Sequence, residues 1–461
     1  MSGLAQANAL HIPFADGVFQ CIVTSIPYWG LRSYADNPPQ VWGGDSSCVH
    51  QWLPQRYYTE KSAGQQSSAA FSQPGEANAE RLKTARWRED GACRLCGAWL
   101  GSYGLEPTLE LYLEHSVAVF REVHRVLRAD GTLWLNIGDC YATEPNGRRA
   151  ADTKAAGRDD RTFRDKPFST VGGGLKDKDL CLVPARVAIA LQADRWWVRA
   201  ENIWLKPNPL PESVRDRTTR THEFVYMLTK ARRYFYDQES VREPAQSGPS
   251  DVRKMIEKLD RIGGKHKDLI DPLSKASAAT NIGQKRAVGV PGTRNLRSVW
   301  SIPTQPYRGS HFATFPESLV DRCVLVGTSL FGCCPKCGAP WERVVERESV
   351  GDLRYGRRRF DGMEGRSVYP AMPPERLQPV TVGWRSTCWC GLREPVPCRV
   401  FDPFVGSGTV VQVARRHGRQ GYGVDLSRVY LEENALPRAM GRNTAAALAT
   451  LPLFAELESR P

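Results

Sequence analysis

The chain has 461 residues, 41% of them hydrophobic and 25% charged. This is a soluble-globular balance, with length for about three domains. No window nears the roughly 18 consecutive apolar residues of a membrane span, and the opening MSGLAQANALHIPFADG lacks the basic and apolar regions of a secretory signal, so a cytoplasmic protein is expected. Sixty-three Lys+Arg against 50 Asp+Glu leave a net charge of +13, which suggests a polyanionic partner, most simply nucleic acid.

In chain order, the apolar run VFQCIV (18–23) predicts a buried strand that enters a tight loop at Ser25-Ile26-Pro27-Tyr28. Residues 45–100 read as polar loop. Leu109, Leu113, Val117, Phe120, Val123 and Leu127 recur at steps of three and four, predicting a helix over 108–127 with one apolar face. Gly131 is read as its stop, and TLWLNI (132–137) as the next strand, a β-α-β rhythm that favours a parallel sheet. Residues 142–178 read as a flexible loop. Pro184 opens a short helix, and strand-like runs follow at 196–204 and 222–230. Residues 241–296 read as an inserted basic module with a helical stretch near 251–262. A helix over 316–328, a strand at 399–402, a helix over 408–417, a strand at 420–425 and a helix over 427–440 complete the chain.

Of the 13 cysteines, Cys21, Cys140, Cys181 and Cys323 stand alone in apolar surroundings and read as inert buried thiols. The others cluster, and without an export signal clustered thiols point to metal. Cys48, His50, Cys93 and Cys96 form one four-ligand set. Cys334, Cys337, Cys388 and Cys390 form a second, zinc-ribbon-like set for which Cys333 or Cys398 could substitute. Both are expected to be structural zinc sites, because a closed four-ligand site leaves no position for a reactant.

Asp402-Pro-Phe-Val-Gly-Ser-Gly-Thr409 joins a strand to a helix. Its two glycines allow a ligand close to the backbone at a helix N-terminus. The next strand ends at Asp425, where a nucleotide-type fold grips a ribose. The third glycine of a dinucleotide fingerprint is absent, so a nicotinamide cofactor is disfavoured.

FDPFVGSGT (401–409) closely resembles the S-adenosylmethionine motif of DNA amino-methyltransferases, and HFATFP (311–316) resembles the companion segment that closes over the methionine end of the cofactor. Ser25-Ile26-Pro27-Tyr28 resembles the catalytic loop of that family. The loop usually reads S-P-P-Y in cytosine-N4 enzymes and D-P-P-Y or N-P-P-Y in adenine-N6 enzymes. Here Ile26 departs from the first proline, and Asn8 stands where the family often has a cofactor-contacting aspartate. The order, catalytic loop before cofactor loop, is that of the family's beta class; TLWLNIGD (132–139) and the stretch 201–230 also resemble that class, especially its phage and bacterial branch.

The resemblance implies a doubly wound, Rossmann-like α/β sheet with two zinc-bound insertions and a target-recognition segment. It implies methyl transfer to the N4 of cytosine in double-stranded DNA within a restriction-modification setting. Ser25 is the expected amine acceptor, Ile26 or Pro27 the source of a second acceptor carbonyl, and Tyr28 the base-stacking platform. The cofactor is expected on Asn8, Phe315, Pro316, Asp402, Phe404, Gly406, Gly408, Thr409 and Asp425. Trp29, Trp196 and Trp197 read as core; Arg232-Arg233 and Arg357–Arg359 read as solvated faces or phosphate contacts.

The expected division is a catalytic-loop part (1–44), a zinc insertion (45–100), the methyltransferase domain proper (101–240), a target-recognition segment (241–300), a cofactor-closing segment (301–330), a zinc ribbon (331–397), a cofactor-binding part (398–445) and a tail (446–461). Adenine N6 as the target, a zinc-stabilised DNA-binding protein without catalysis, and a homodimer stay open at this point.

Overall fold

A computed structural model describes residues 3–31, 38–53, 55–57, 86–88, 91–143, 170–244, 293–305, 315–347 and 379–440. The expected helix near 251–262, most of the basic module, Arg357–Arg359, residues 311–314 and the tail lie outside them.

The described residues divide into two compact units, Met1–Phe235 with Ser298–Gly327 and Pro397–Pro461, and Tyr236–Arg297 with Thr328–Val396. The second unit thus draws on both the target-recognition segment and the ribbon. No described helix is long and apolar enough to cross a membrane.

The first unit is built on an eight-stranded sheet. Its strands are β1 (Gly3–Gln6), β2 (Phe19–Ser25), β3 (Leu127–Ile137), β4 (Trp197–Leu205), β5 (His222–Thr229), β6 (Val299–Ser301), β7 (Arg399–Asp402) and β8 (Gln420–Asp425), in the order β1-β8-β7-β2-β3-β5-β4-β6. Every neighbouring pair is parallel except those of β5, which runs antiparallel to β3 and β4. The expected strand–helix alternation holds, but the sheet is mixed. β1 and β6 had no counterpart in the sequence reading, because GLAQ and VWS are too short to display a period.

Helices cover both faces, because strand side chains alternate. Leu133, Leu135 and Ile137 of β3 join the core cluster that holds the buried face of α1 (Leu109–Val126) and of α2 (Val183–Ala193). Thr132 and Cys21 point the other way, against Gly327 at the end of α3 (Glu317–Gly327). α4 (Thr409–Arg416) follows β7, and the Arg428–Met440 segment, with a π-helical turn at Leu431–Ala435, follows β8.

Two corrections concern α1. It ends at Val126 and β3 starts at once, so Gly131 is a strand residue rather than a helix stop. A Cβ there would lie 2.6 Å from Leu127 and 2.9 Å from the Gln20 carbonyl, which explains the glycine by close approach. The buried face is also rotated from the predicted one. Tyr112, His115 and Ser116 are buried, while Leu113 and Val117 are half-buried. Polar groups point inward because they have partners there.

In the second unit, Trp341–Arg347 pairs antiparallel with Pro379–Ser386 around a bulge at Val344/Val345. Arg343 bonds Asp237 at 2.8 Å and lies over the Trp384 ring, which Phe331 stacks upon.

Candidate active site

β2 leads through α1 to β3 on one side, and β7 leads through α4 to β8 on the other. The connections therefore diverge between β2 and β7, and the topology leaves a crevice at the carboxyl ends of those strands. A cleft of about 680 Å³ lies there. Six strands line it directly, β2, β3, β4, β7 and β8 by their carboxyl ends and β5 by its amino end, since the antiparallel strand starts where the others finish; residues that follow β1 and β6 line it as well. The volume falls within the usual range for a ligand cleft, about 300–1,000 Å³.

Ser25, Ile26, Pro27 and Tyr28 all line the cleft. Ser25 closes β2. The Ile26 side chain is buried in the main core, which gives the apolar departure from proline a packing role. The Pro27 carbonyl accepts the Tyr112 hydroxyl at 2.9 Å, so of the two carbonyls considered, it is Pro27's that already has a protein partner. The Tyr28 hydroxyl donates to Glu223 Oε2 at 2.7 Å and lies 3.3 Å from Asn136 Oδ1. Asn136 Nδ2 donates to Glu223 Oε2 at 3.2 Å and to the Phe224 carbonyl, and Lys206 Nζ pairs with Glu223 Oε1. The Tyr28 ring passes so close to Gly138 that a Cβ there would sit 2.6 Å from it. Trp29 is buried, as expected, and its indole donates to the Glu106 carbonyl. Trp196 is buried too, whereas Trp197 is half exposed.

Asp402, Phe404, Gly406, Ser407, Thr409 and Asp425 line the same cleft. Gly406 and Gly408 have φ of 44° and 78°, in the region glycine alone enters freely. A Cβ on Gly408 would also meet the Ala435 backbone at 2.7 Å. Asp402 Oδ1 accepts Thr24 Oγ1 at 2.7 Å and the Phe404 amide at 3.0 Å. Burial pushes its pKa up to about 7, with those two bonds opposing and the charge of Asp425 adding. Asp425 accepts the Gly406 and Ser427 amides, each at 2.9 Å, and burial raises its pKa as well. Arg438 bonds Ser407 Oγ and Thr409 Oγ1 from outside the turn. Asn8 and Phe315 line the cleft, whereas Pro316 serves the first turn of α3 by accepting the Leu319 amide. Both ends of the Asn8 amide are engaged, with Gln40 and with the Leu10 amide.

In each cysteine set the four ligand atoms lie within 4.8 Å of one another: Cys48, His50, Cys93 and Cys96 in the first unit, and Cys334, Cys337, Cys388 and Cys390 in the second. Cys333 and Cys398 belong to neither. The Cys48–Cys93 sulfurs are 3.9 Å apart, and Cys96 Sγ is 3.4 Å from His50 Nδ1. A tetrahedral zinc with bonds near 2.3 Å to sulfur has ligand–ligand edges of about 3.8 Å. The two CxxCGA turns share one backbone pattern. In each, the glycine amide returns to the first cysteine carbonyl, and the first cysteine amide bonds the alanine carbonyl.

Sequence reasoning missed Lys206, Glu223, Asn136 and Tyr112. The signal was present in ENIWLKP and THEF, which flank strand ends, but only the antiparallel placement of β5 brings Glu223 to the cleft.

Residues 19–330 match the N6/N4 family model described as DNA methylase. The chain is 40% identical over 341 residues to the type II methyltransferase M.Cfr9I of Citrobacter freundii, covering 74% of this chain and 75% of that protein. To M.SmaI of Serratia marcescens it is 33% identical over 311 residues, covering 68% and 69%. Among solved structures it is similar to the PvuII DNA methyltransferase (cytosine-N4-specific), with TM-score 0.43 and 10% identity over 96% of this chain and 88% of that one. It is also similar to the M1.HpyAVI–SAM complex, with TM-score 0.34 and 9% identity over 95% and 98%.

Proposed function

The chain belongs to the N6/N4 DNA methylase family of S-adenosylmethionine-dependent DNA amino-methyltransferases, and from that premise we propose that its target is the exocyclic N4 of cytosine in double-stranded DNA. The observation that carries this reading is Ser25, not an aspartate, at the end of β2, lining one cleft together with the Asp402–Thr409 turn.

The amine of cytosine is a poor nucleophile because its lone pair is shared with the ring. Ser25 Oγ and the Ile26 carbonyl accept its two N–H bonds and return electron density to nitrogen. Tyr28 stacks on the base once it is rotated out of the duplex. The glycine turn, with Gly406 and Gly408 both at positive φ, fits the methionine end of S-adenosylmethionine. Asp425 takes the ribose hydroxyls, and Phe315 closes the cleft. When bound, that cofactor supplies a methyl on a positively charged sulfur, electrophilic without metal assistance. The basic balance of the chain serves DNA phosphates, so affinity for DNA falls as salt rises.

The test is incorporation of labelled methyl into duplex DNA, followed by nucleoside analysis. N4-methylcytosine is expected. N6-methyladenine overturns the base assignment, and no incorporation overturns catalysis.

The two cysteine sets are read as structural zinc sites, on the strength of their ligand spacing and shared turns. Metal analysis should find about two zinc ions per chain, and fewer than one counts against both sites. Cys337→Ser should lower the thermal midpoint, because metal affinity is folding energy in such a module.

A further inference from the structure

The catalytic reading leaves one group without a task. Glu223 is a carboxylate at the start of the only antiparallel strand in the sheet, with 15% of its side chain exposed, and it faces the catalytic loop. Two donors meet its Oε2, Tyr28 and Asn136, and Lys206 holds its Oε1. The donor directions also form a sequence. Ser25 Oγ donates toward Tyr28 Oη, and Tyr28 Oη donates to Glu223 Oε2.

We propose that Glu223 is the terminal proton acceptor of methyl transfer, reached from the target amine through Ser25 and Tyr28. This rests on the reading of Ser25 as the amine's acceptor.

The balance is as follows. As the N–CH₃ bond forms and the C–S bond breaks, the sulfonium leaves as a neutral thioether and the amine nitrogen becomes positively charged. It must lose one proton to restore a neutral amine. That proton passes to Ser25 Oγ, the Ser25 proton passes to Tyr28 Oη, and the Tyr28 proton passes to Glu223 Oε2. Serine and tyrosine end unchanged, and Glu223 ends protonated. It then returns the proton to solvent, which reaches both it and Lys206, whose side chain is 20% exposed. The long step is Ser25 to Tyr28, at 3.5 Å; catalytic hydrogen bonds often tighten only when substrate is bound. Asn136 keeps the carboxylate in place from β3, and Tyr28 serves twice, its ring toward the base and its hydroxyl toward the carboxylate.

The experiment is single-turnover methylation of a duplex substrate by the full chain carrying Glu223→Gln, Tyr28→Phe or Glu223→Ala, with DNA and cofactor affinities measured alongside. Glu223→Gln keeps the shape and an oxygen acceptor for Tyr28, so a purely positioning role survives it. Tyr28→Phe keeps the stacking ring. Each should slow methyl transfer by about 100-fold, the lower end for a lost acid–base group, with affinities within about threefold of wild type. Added formate should restore part of the rate to Glu223→Ala and none to Tyr28→Phe, where the chain is cut before the carboxylate.

A wild-type rate in Glu223→Gln or Tyr28→Phe overturns the proposal, as does Glu223→Ala with no response to formate. Ser25→Ala separates the two ideas. If it is inactive while Glu223→Gln is fully active, the loop reading stands and the relay falls. If Ser25→Ala is itself fully active, the loop reading falls.

Discussion

The catalytic loop after β2 and the glycine turn after β7 leave adjacent parallel strands, and Thr24 Oγ1 joins them by its bond to Asp402 Oδ1. Their supports differ. The catalytic loop is held by groups distant in sequence: the Tyr112 side chain of α1 on the Pro27 carbonyl, the Glu223 side chain of β5 on the Tyr28 hydroxyl, and the Glu106 main-chain carbonyl on the Trp29 indole. The glycine turn is shaped mainly by its own backbone and by the two acids that end its flanking strands, Asp402 and Asp425. A loop that works through side chains must have them aimed from outside. A loop that works through amides must have its φ and ψ set from within. Substitutions on the two sides should therefore fail in different kinetic quantities.

The largest expected effect is on the catalytic side. Ser25→Ala removes an acceptor that matters most as charge develops on the amine. Turnover should fall by about 100- to 1,000-fold, as when one preorganised polar group is lost from a reacting centre, with cofactor affinity unchanged. Methylation at the wild-type rate would place the active site elsewhere.

On the cofactor side, Asp425→Ala should weaken S-adenosylmethionine binding by about 1.5–3 kcal/mol, the range for lost charge-assisted hydrogen bonds. Turnover at saturating cofactor should change little. The loss also frees the Gly406 amide, so turn and ligand are affected together. Unaltered calorimetric affinity would remove Asp425 from the ribose site.

Asp402 adds a pH dependence to the same side. Its folded pKa of about 7 lies above the ordinary 3.8, so between those values the folded chain holds a proton that the unfolded chain has lost. Stability from this group is therefore full below the ordinary value, declines as pH rises through the window, and levels off above about 7. Asp402→Asn should flatten the thermal midpoint of the cofactor-free protein across that window. Parallel midpoint curves for variant and wild type would show that the buried carboxyl is not titrating there.

How much of this could be read in advance follows from the same contrast. The shape of the glycine turn was legible, because the residues that bend it are consecutive and Asp425 ends the very next strand; the Arg438 bonds to Ser407 and Thr409, from about 30 positions on, were not. The catalytic loop was legible only at Ser25–Tyr28. Its side-chain supports, Tyr112 of α1 and Glu223 of β5, lie 85 and 195 positions away, and no periodicity announces either. The α1 face was misjudged for the same reason, since an apolar pattern gives no credit to a buried tyrosine with a carbonyl to bond. The hairpin at Trp341–Arg347 and Pro379–Ser386 was missed because its strands are separated by a long stretch and WERVVER is mostly polar.

The smallest expected effect tests the comparison most directly. The Tyr112 hydroxyl donates to the Pro27 carbonyl, and Tyr112 lies at the end of a buried chain in which Tyr103 and Ser116 hydroxyls meet at 2.7 Å and Ser116 bonds the Tyr112 carbonyl. Its ring stacks on Tyr103, so Tyr112→Phe keeps the packing and deletes one hydrogen bond. One such bond is worth about 0.5–1.5 kcal/mol, or roughly two- to tenfold in a rate constant. Because Pro27 lies between Ser25 and Tyr28 in the catalytic loop, the loss should appear as a two- to tenfold fall in kcat with cofactor affinity intact. A fall in cofactor affinity with kcat unchanged would mean that α1 supports the glycine turn through the Thr24–Asp402 bond, and the two loops would then have to be treated as one mechanical unit.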